Sequence, residues 1–303
     1  APILDDRIKI CSVLKSFGNL SCSVIVYLSQ FKLFSKFLNT VFKTFTIAAG
    51  LENKVVNPNT VFKNLEESLT CDKYTITEHD KLPRNLSVEQ ILIRSSNIGA
   101  VRIAQKIGVE KYKDFLNTLG LLDTINFDLE EIGTPLPFRW GKCKLATVSY
   151  GHGITTTLLQ LARAYAIIGN GGYKIEPSIL ETKKKSLKKK ERIISHKTSD
   201  AMNLMLRKVV SLNEGTANFA DVKGYDVGGK TGTALKYNSK AKLNTFVSLF
   251  PASRPKYVLL VMLDEPKSAP NFIYEFSPSE KFPNGYKYKG ETRNTSGWNT
   301  VVV

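Results

Sequence analysis

Apolar and polar residues along this chain follow two different periods, and the switch between them divides the sequence. Between residues 87 and 210 the spacing is helical. Ser87-Val88-Glu89-Gln90 has the form of a capping box, in which a serine side chain and a glutamine three residues on each satisfy a free backbone N–H. Val88, Ile91 and Leu92 then begin an apolar stripe, which predicts a helix. A second helical pattern runs from Ile98 through Ile103 and Ile107 and stops at Gly108. Leu158, Leu161, Ala162, Tyr165 and Ile168 share one face, and Gly169-Asn170-Gly171-Gly172 supplies the stop. Asp200 to Val210 predicts a further amphipathic helix.

The last third changes period. Phe246 to Phe250 and Tyr257 to Leu263 are short apolar runs separated by Pro251-Ala252-Ser253-Arg254-Pro255, the pattern of a strand pair. Upstream, Gly228-Gly229-Lys230-Thr231-Gly232-Thr233-Ala234 is small and polar, as in a strand that another group approaches closely. Helices followed by strands predict an α+β fold with a largely antiparallel sheet flanked by helices. The sequence contains no internal repeat.

The 303 residues are 42% apolar and 23% charged, an ordinary globular balance that argues against disorder and against a multi-span membrane protein. The formal charge of +16 comes from 33 lysines and ten arginines against 27 acidic residues. Nucleic-acid grooves draw on arginine for bidentate contacts, so a lysine-dominated excess reads as a solvated surface and no nucleic-acid partner is expected. Lys183-Lys184-Lys185 and Lys188-Lys189-Lys190 read as a surface loop. Cys11, Cys22, Cys71 and Cys143 form no CxxC pair, and His79, His152 and His196 are scattered, so no metal site or cofactor is expected. The cysteines could pair, but their spacing does not require it. The uncharged stretch Ser16 to Phe31 is too short and too polar for a spanning helix, so no membrane anchor is read here.

Lys230-Thr231-Gly232 is the sharpest chemical signal, because a K-T-G strand lines the active site of β-lactamases and penicillin-binding proteins beside S-x-x-K and S-x-N elements. Ser95-Ser96-Asn97 supplies S-x-N in the right order. Phe42 to Glu52 resembles the helix that carries the nucleophile motif in class B penicillin-binding proteins. Ser149-Tyr150-Gly151-His152-Gly153-Ile154 and Leu159 to Ala166 resemble the block between their second and third motifs. Gly224 to Ala234, Phe246 to Pro266 and Gly297-Trp298-Asn299 complete the resemblance. On these blocks residues 41 to 300 are similar to the division-type peptidoglycan D,D-transpeptidases. The resemblance implies the penicillin-binding/serine β-lactamase-like fold and divides the chain into an unrelated or frame-shifted segment, 1–39, and an incomplete transpeptidase domain, 40–303.

The departures are as specific as the matches. In the family a Glu-Pro-Gly-Ser-x-Phe-Lys stretch carries the nucleophilic serine; here the same positions read Phe37-Leu38-Asn39-Thr40-Val41-Phe42-Lys43. Threonine stands in the nucleophile position, and the opening strands of the domain are expected to be missing. Bare S-x-x-K patterns at Ser12, Ser29, Ser186, Ser239 and Ser253 lack the context that follows Thr40 and read as decoys.

By resemblance, Thr40, Lys43, Ser95 and Asn97 are the catalytic set, and Lys230, Thr231, Gly232 and Thr233 bind substrate. The implied chemistry is acyl transfer from a peptidoglycan stem peptide, with covalent capture of β-lactams, and catalysis impaired by Thr40, whose branched side chain is stiff at χ1. His152 is expected to pack rather than to catalyse. The resemblance also implies septal cell-wall synthesis at the periplasmic face of the inner membrane, with division-complex membrane proteins as partners. Two other readings stand beside it: a non-catalytic remnant that binds stem peptide or a division partner, and a basic binding module built on the lysine block.

Overall fold

The computed structural model describes residues 23–27, 40–72, 74–127, 138–178, 191–235, 241–264, 273–276 and 286–289. The lysine block, Gly297-Trp298-Asn299, Cys11, Cys22 and the decoy serines 12, 29, 186 and 239 lie outside the described residues. In chain order the elements are β1 (Ser23–Tyr27), a 3₁₀ turn (Thr40–Phe42), α1 (Lys43–Glu52), β2 (Val61–Phe62), β3 (Ser68–Cys71) and β4 (Tyr74–Thr77). Then come β5 (Leu86–Ser87), α2 (Val88–Ile93), α3 (Asn97–Ile107), α4 (Val109–Thr118), α5 (Lys142–Ser149), α6 (Leu158–Gly169) and α7 (His196–Ser211). The sheet strands β6 (Gly228–Leu235), β7 (Lys242–Phe250) and β8 (Tyr257–Asp264) close the larger unit. A separate hairpin, β9 (Ile273–Phe276) with β10 (Tyr286–Lys289), belongs to a second unit.

The fold class follows the expected α+β pattern. The main sheet has the order β1-β8-β7-β6, with β6, β7 and β8 antiparallel and Lys230 opposite Val247. The mixed helical and strand periods therefore mark real layers, with α6 and α7 packed on this sheet. One strand of this sheet comes from within residues 1–39. β1 pairs parallel with β8 from Ser23↔Tyr257 to Tyr27↔Val261. An unfilled edge presents a row of free N–H and C=O groups. Val24-Ile25-Val26-Tyr27 is the kind of β-branched and aromatic run that enters such an edge.

At the centre lies α1. Every residue from Val41 to Gly50 is buried, which is the expected fate of a helix that is apolar almost all round. Phe45 stacks edge-on against Phe42 at 5.1 Å and Tyr165 at 5.3 Å. Truncating such a buried phenylalanine to alanine costs about 3–5 kcal/mol. The polar groups of α1 are answered individually: Thr44 Oγ1 meets Tyr165 Oη at 2.8 Å, and Thr46 Oγ1 meets Tyr112 Oη at 2.7 Å while donating to Ser149 O at 2.6 Å.

The local signals at helix ends hold. Ser87 and Gln90 form the reciprocal capping box on α2, and Gly108, at φ +83°, ends α3. Thr157 and Gln160 form a second capping box on α6. α7 begins four residues earlier than its apolar stripe indicates, because Ser195 caps it and the Glu52 carboxylate accepts from Ser195 N and Oγ and from Thr198 Oγ1. That cap comes from α1, out of reach of any local pattern.

Cys71 and Cys143 form a disulfide with a Cα–Cα distance of 5.5 Å, tying the β3–β4 hairpin to α5. It closes a loop of 72 residues, for which the chain-entropy relation gives about 4 kcal/mol. The paired variant Cys71→Ser/Cys143→Ser is therefore expected to lower unfolding free energy by about 2–4 kcal/mol in urea titrations. Reduction of the parent should reproduce that loss, and a parent whose midpoint is indifferent to reductant would contradict it.

Candidate active site

Three structural layers bring the predicted residues together. The 3₁₀ turn and α1 carry Thr40 and Lys43. The bend between α2 and α3 carries Ser95, and the first residue of α3 is Asn97. The edge strand β6 carries Lys230, Thr231, Gly232 and Thr233. The junction is Ser95. Lys43 Nζ donates to Ser95 Oγ at 3.1 Å and to Ser95 O at 2.5 Å, and Lys230 Nζ donates to the same Oγ at 2.9 Å. Both lysines are almost wholly buried, at 1% and 0% exposure.

Burial without full neutralisation disfavours the charged form of an amine. Lys43 is accordingly pulled down to about 7, with the carboxylate charge of Glu78 working in the opposite direction. Burial likewise pushes Lys230 well below the ordinary lysine range, and the charge of Lys43 adds to the effect. Two buried ammonium groups sharing one hydroxyl oppose each other's protonation, so this site is built to hold a neutral amine near neutral pH.

Ser95 reaches this position through a backbone that L-residues seldom adopt, with φ +61°. The bend is fixed by Ser95 N donating to Leu92 O at 3.2 Å and Ser96 N to Ile91 O at 3.0 Å. Asn97 opens α3, and its side chain turns to the hairpin, with Nδ2 donating to Thr77 O at 2.7 Å.

Thr40 opens the 3₁₀ turn three residues before Lys43, a spacing that sets the two on the same side. It is half-buried. The turn abuts β6 at Gly232, where an added Cβ would lie 2.9 Å from Val41 Cγ1, 3.1 Å from Val41 N and 3.5 Å from Thr40 N. Glycine is therefore required for the strand and the turn to meet. Tyr165 Oη donates to Val41 O at 2.8 Å and holds the turn from the other side. Thr231 and Thr233 are half-buried on β6 beside Lys230, and Thr231 Oγ1 donates to Thr216 O at 3.4 Å.

Several contributors have no motif to announce them. Thr216 Oγ1 accepts from Lys230 Nζ at 3.2 Å, and Glu78 accepts from Ser96 Oγ, Asn97 N and Ile98 N. The β3–β4 hairpin that precedes Glu78 had a readable signal: Leu69-Thr70-Cys71 and Tyr74-Thr75-Ile76-Thr77 are strand-like runs two residues apart in the sequence. Thr216 had none, because its contact is set by tertiary packing. His152 is exposed and its ring lies stacked on Tyr150 with centroids 6.2 Å apart. Ser253 sits exposed in the β7–β8 turn, with its N–H bound to Asp226.

Residues 39–277 match the penicillin binding protein transpeptidase domain. A probable peptidoglycan D,D-transpeptidase FtsI of Caulobacter vibrioides is 30% identical over 247 residues, which is 77% of this chain and 42% of that protein. The peptidoglycan D,D-transpeptidase FtsI of Buchnera aphidicola is 34% identical over 245 residues, covering 76% of this chain and 42% of that protein. The chain thus spans about two fifths of the length of these curated relatives. Among solved structures, the transpeptidase domain of penicillin-binding protein 3 from Burkholderia pseudomallei superposes with a TM-score of 0.70 at 32% identity, covering 75% of this chain and 71% of that one. A fold with three motif-bearing layers converging on Ser95, and a domain match over most of the chain, lead to one assignment: this chain belongs to the penicillin-binding protein transpeptidase family.

Proposed function

We propose that the chain is a peptidoglycan D,D-transpeptidase domain that works through an acyl-enzyme on Thr40, and that this nucleophile makes it slow. One observation carries the reading: the buried Lys43 and Lys230 amines meet at Ser95 Oγ, with Thr40 one turn upstream of Lys43. A neutral lysine is a general base, and a positioned base beside a hydroxyl is the requirement for nucleophilic acyl transfer.

In the first step Thr40 Oγ1 attacks the carbonyl of the penultimate D-alanine, forming an ester C–O bond as its proton passes to Lys43. The C–N bond breaks, and the terminal D-alanine leaves with the proton relayed through Ser95. In the second step an amine of a neighbouring stem peptide attacks the ester carbonyl, the peptide bond forms, and the Thr40 hydroxyl is regenerated. Backbone N–H groups of Thr40 and Thr233 act as the oxyanion hole, supported by the close approach of the turn to Gly232. Such a donor is worth about 3 kcal/mol. Lys230, Thr231 and Thr233 receive the substrate carboxylate, and Asn97 the substrate amide. A β-lactam enters the same first step, its ring C–N bond being the one that opens.

Substrate and partners follow from this reading: stem peptides, β-lactams and the membrane proteins of the division complex. The disulfide supports an oxidising, extracytoplasmic location, and no helix among the described residues is long and apolar enough to cross a membrane. Residues 40–303 are assigned to the transpeptidase domain and residues 1–39 to a segment of different origin.

Labelling with a fluorescent penicillin tests the reading. The parent is expected to label slowly or not at all. Thr40→Ser removes a methyl at a position with similar helix propensity and is expected to label at least about tenfold faster, equivalent to about 1.4 kcal/mol of barrier. Equal, poor labelling of folded parent and variant would place the defect outside the nucleophile, and fast labelling of the parent would refute impaired catalysis.

The ionisation of Lys43 gives a second prediction. Unfolded, this lysine carries a proton up to its ordinary pKa of 10.5; folded, it loses it near 7. The unfolded state therefore binds more protons between those values, and stability rises with pH across that window. Lys43→Met fills the same space without the charge. It is expected to abolish labelling, raise stability at pH 7 and reduce that slope in denaturant titrations. An unchanged slope would show that Lys43 is charged and solvated in the folded state.

A further inference from the structure

The mechanism above leaves one half-buried charge unused. Glu78 follows directly on β4, and its carboxylate takes three donors from the segment just after Ser95. Oε1 accepts from Ser96 Oγ at 2.5 Å and Ile98 N at 3.0 Å, and Oε2 accepts from Asn97 N at 2.7 Å. The preceding residue completes the grip, since Thr77 O accepts from Asn97 Nδ2 at 2.7 Å. One dipeptide of the hairpin thus holds both the backbone and the side chains of the motif segment.

The grip matters because Ser95 is strained. At φ +61° the residue persists only where its surroundings over-determine it, and its Oγ is the point where both lysines meet. Ser96 Oγ caps Gly99 N; Asn97 N and Ile98 N would otherwise be unsatisfied, and the Glu78 carboxylate answers them at the positive end of the helix. The hairpin is anchored in turn, because Cys71 at the end of β3 is bonded to Cys143 on α5.

We propose that Glu78 is a positioning residue of this site, which clamps Ser96, Asn97 and Ile98 so that Ser95 Oγ stays between Lys43 and Lys230, and whose charge acts on Lys43 from the hairpin side. Burial favours the neutral Lys43 amine, whereas the charge of Glu78 favours the ammonium. Lys230 reaches the same Ser95 Oγ from β6, and the charge of Lys43 bears on it in turn. The carboxylate thereby keeps Lys43 close to the range in which it can both accept and return a proton.

The test reads Lys43 directly, by lysine ¹³Cε NMR titration of the whole chain, with the resonance assigned by its loss in Lys43→Met. Glu78→Gln retains the shape and removes the charge, and Lys43 is expected to titrate at a lower pH than in the parent. Glu78→Asp retains the charge one methylene further back and is expected to fall between the two. A clamp without electrostatic action would lower stability and leave the titration in place. Identical titration in the parent and both variants overturns the proposal. Should Glu78→Gln not fold, Glu78→Asp decides alone, with an unshifted titration as the refuting result.

A second arm rests on the acyl-transfer reading. In a Thr40→Ser background, the rising limb of the pH profile for fluorescent-penicillin labelling should move to lower pH with Glu78→Gln, and the maximum rate should fall at least about tenfold through lost positioning of Ser95. An unmoved limb and maximum would count against the proposal. If the NMR titration shifts while no variant labels, the positioning role stands and the transpeptidase reading is what fails.

Discussion

Lys43 and Lys230 lie on different layers of the fold, yet both direct a buried Nζ at the hydroxyl of Ser95. Bringing two amines out of water to one acceptor is costly, since each loses hydration and each raises the cost of charging the other. Nothing in ordinary packing favours this arrangement: a methionine or leucine would fill either position with less penalty. The remaining architecture can be understood as what holds the pair in place. α1 is immobilised by burial on every face, β6 by its ladder with β7, and Ser95 by a backbone bend that hydrogen bonds to α2 carbonyls and to Glu78 maintain.

Each support is a solution to a local difficulty. A central helix with threonines and a lysine would leave buried polar atoms unsatisfied, so tyrosines 112 and 165 and the Ser149 carbonyl reach in to meet them. A turn that must touch a strand backbone would clash with any side chain, so β6 has glycine at 232. A helix starting two residues after a strained serine leaves the N–H groups of Asn97 and Ile98 bare, so a carboxylate from the neighbouring hairpin accepts them. The active-site geometry and the core are therefore the same object, and damage to either is felt in both.

The sequence was most legible where chemistry is local. Helices starting at Val88 and ending at Ile107 were announced by Ser87, Gln90 and Gly108, and the β6–β7–β8 order by its apolar runs. Lys43, Ser95 and Lys230 were named from motif spacing, and the fold brings them together. What escaped was set by distance in the chain. Glu52 caps α7 across 143 residues, Glu78 reaches the motif segment from a hairpin with short strands, and Thr216 touches Lys230 through packing alone. Cys71 and Cys143 gave no sign of partnership because 72 residues separate them. The five-residue run Ser23–Tyr27 was not read as a strand for a related reason: its pairing is with β8, more than 200 residues away.

Thr40 gains its significance from the intactness of what surrounds it. Were the site merely a relic of the fold, relief of its least favourable feature would be the first physical gain available, and a single apolar replacement at Lys43 or Lys230 would supply it. Both lysines instead stay buried and directed at Ser95, the glycine contact beneath the turn is kept, and β6 is in register with β7. On the proposed reading the departure in the reacting set is the methyl of Thr40, which restricts χ1 but leaves an oxygen of the same chemical type. A hydroxyl in the right place with a stiffer approach alters a rate, whereas loss of the lysine pair would remove the base itself. On the proposed acyl-transfer reading, the Thr40 methyl acts on the path that oxygen takes toward a carbonyl, beside two desolvated amines that meet at one hydroxyl.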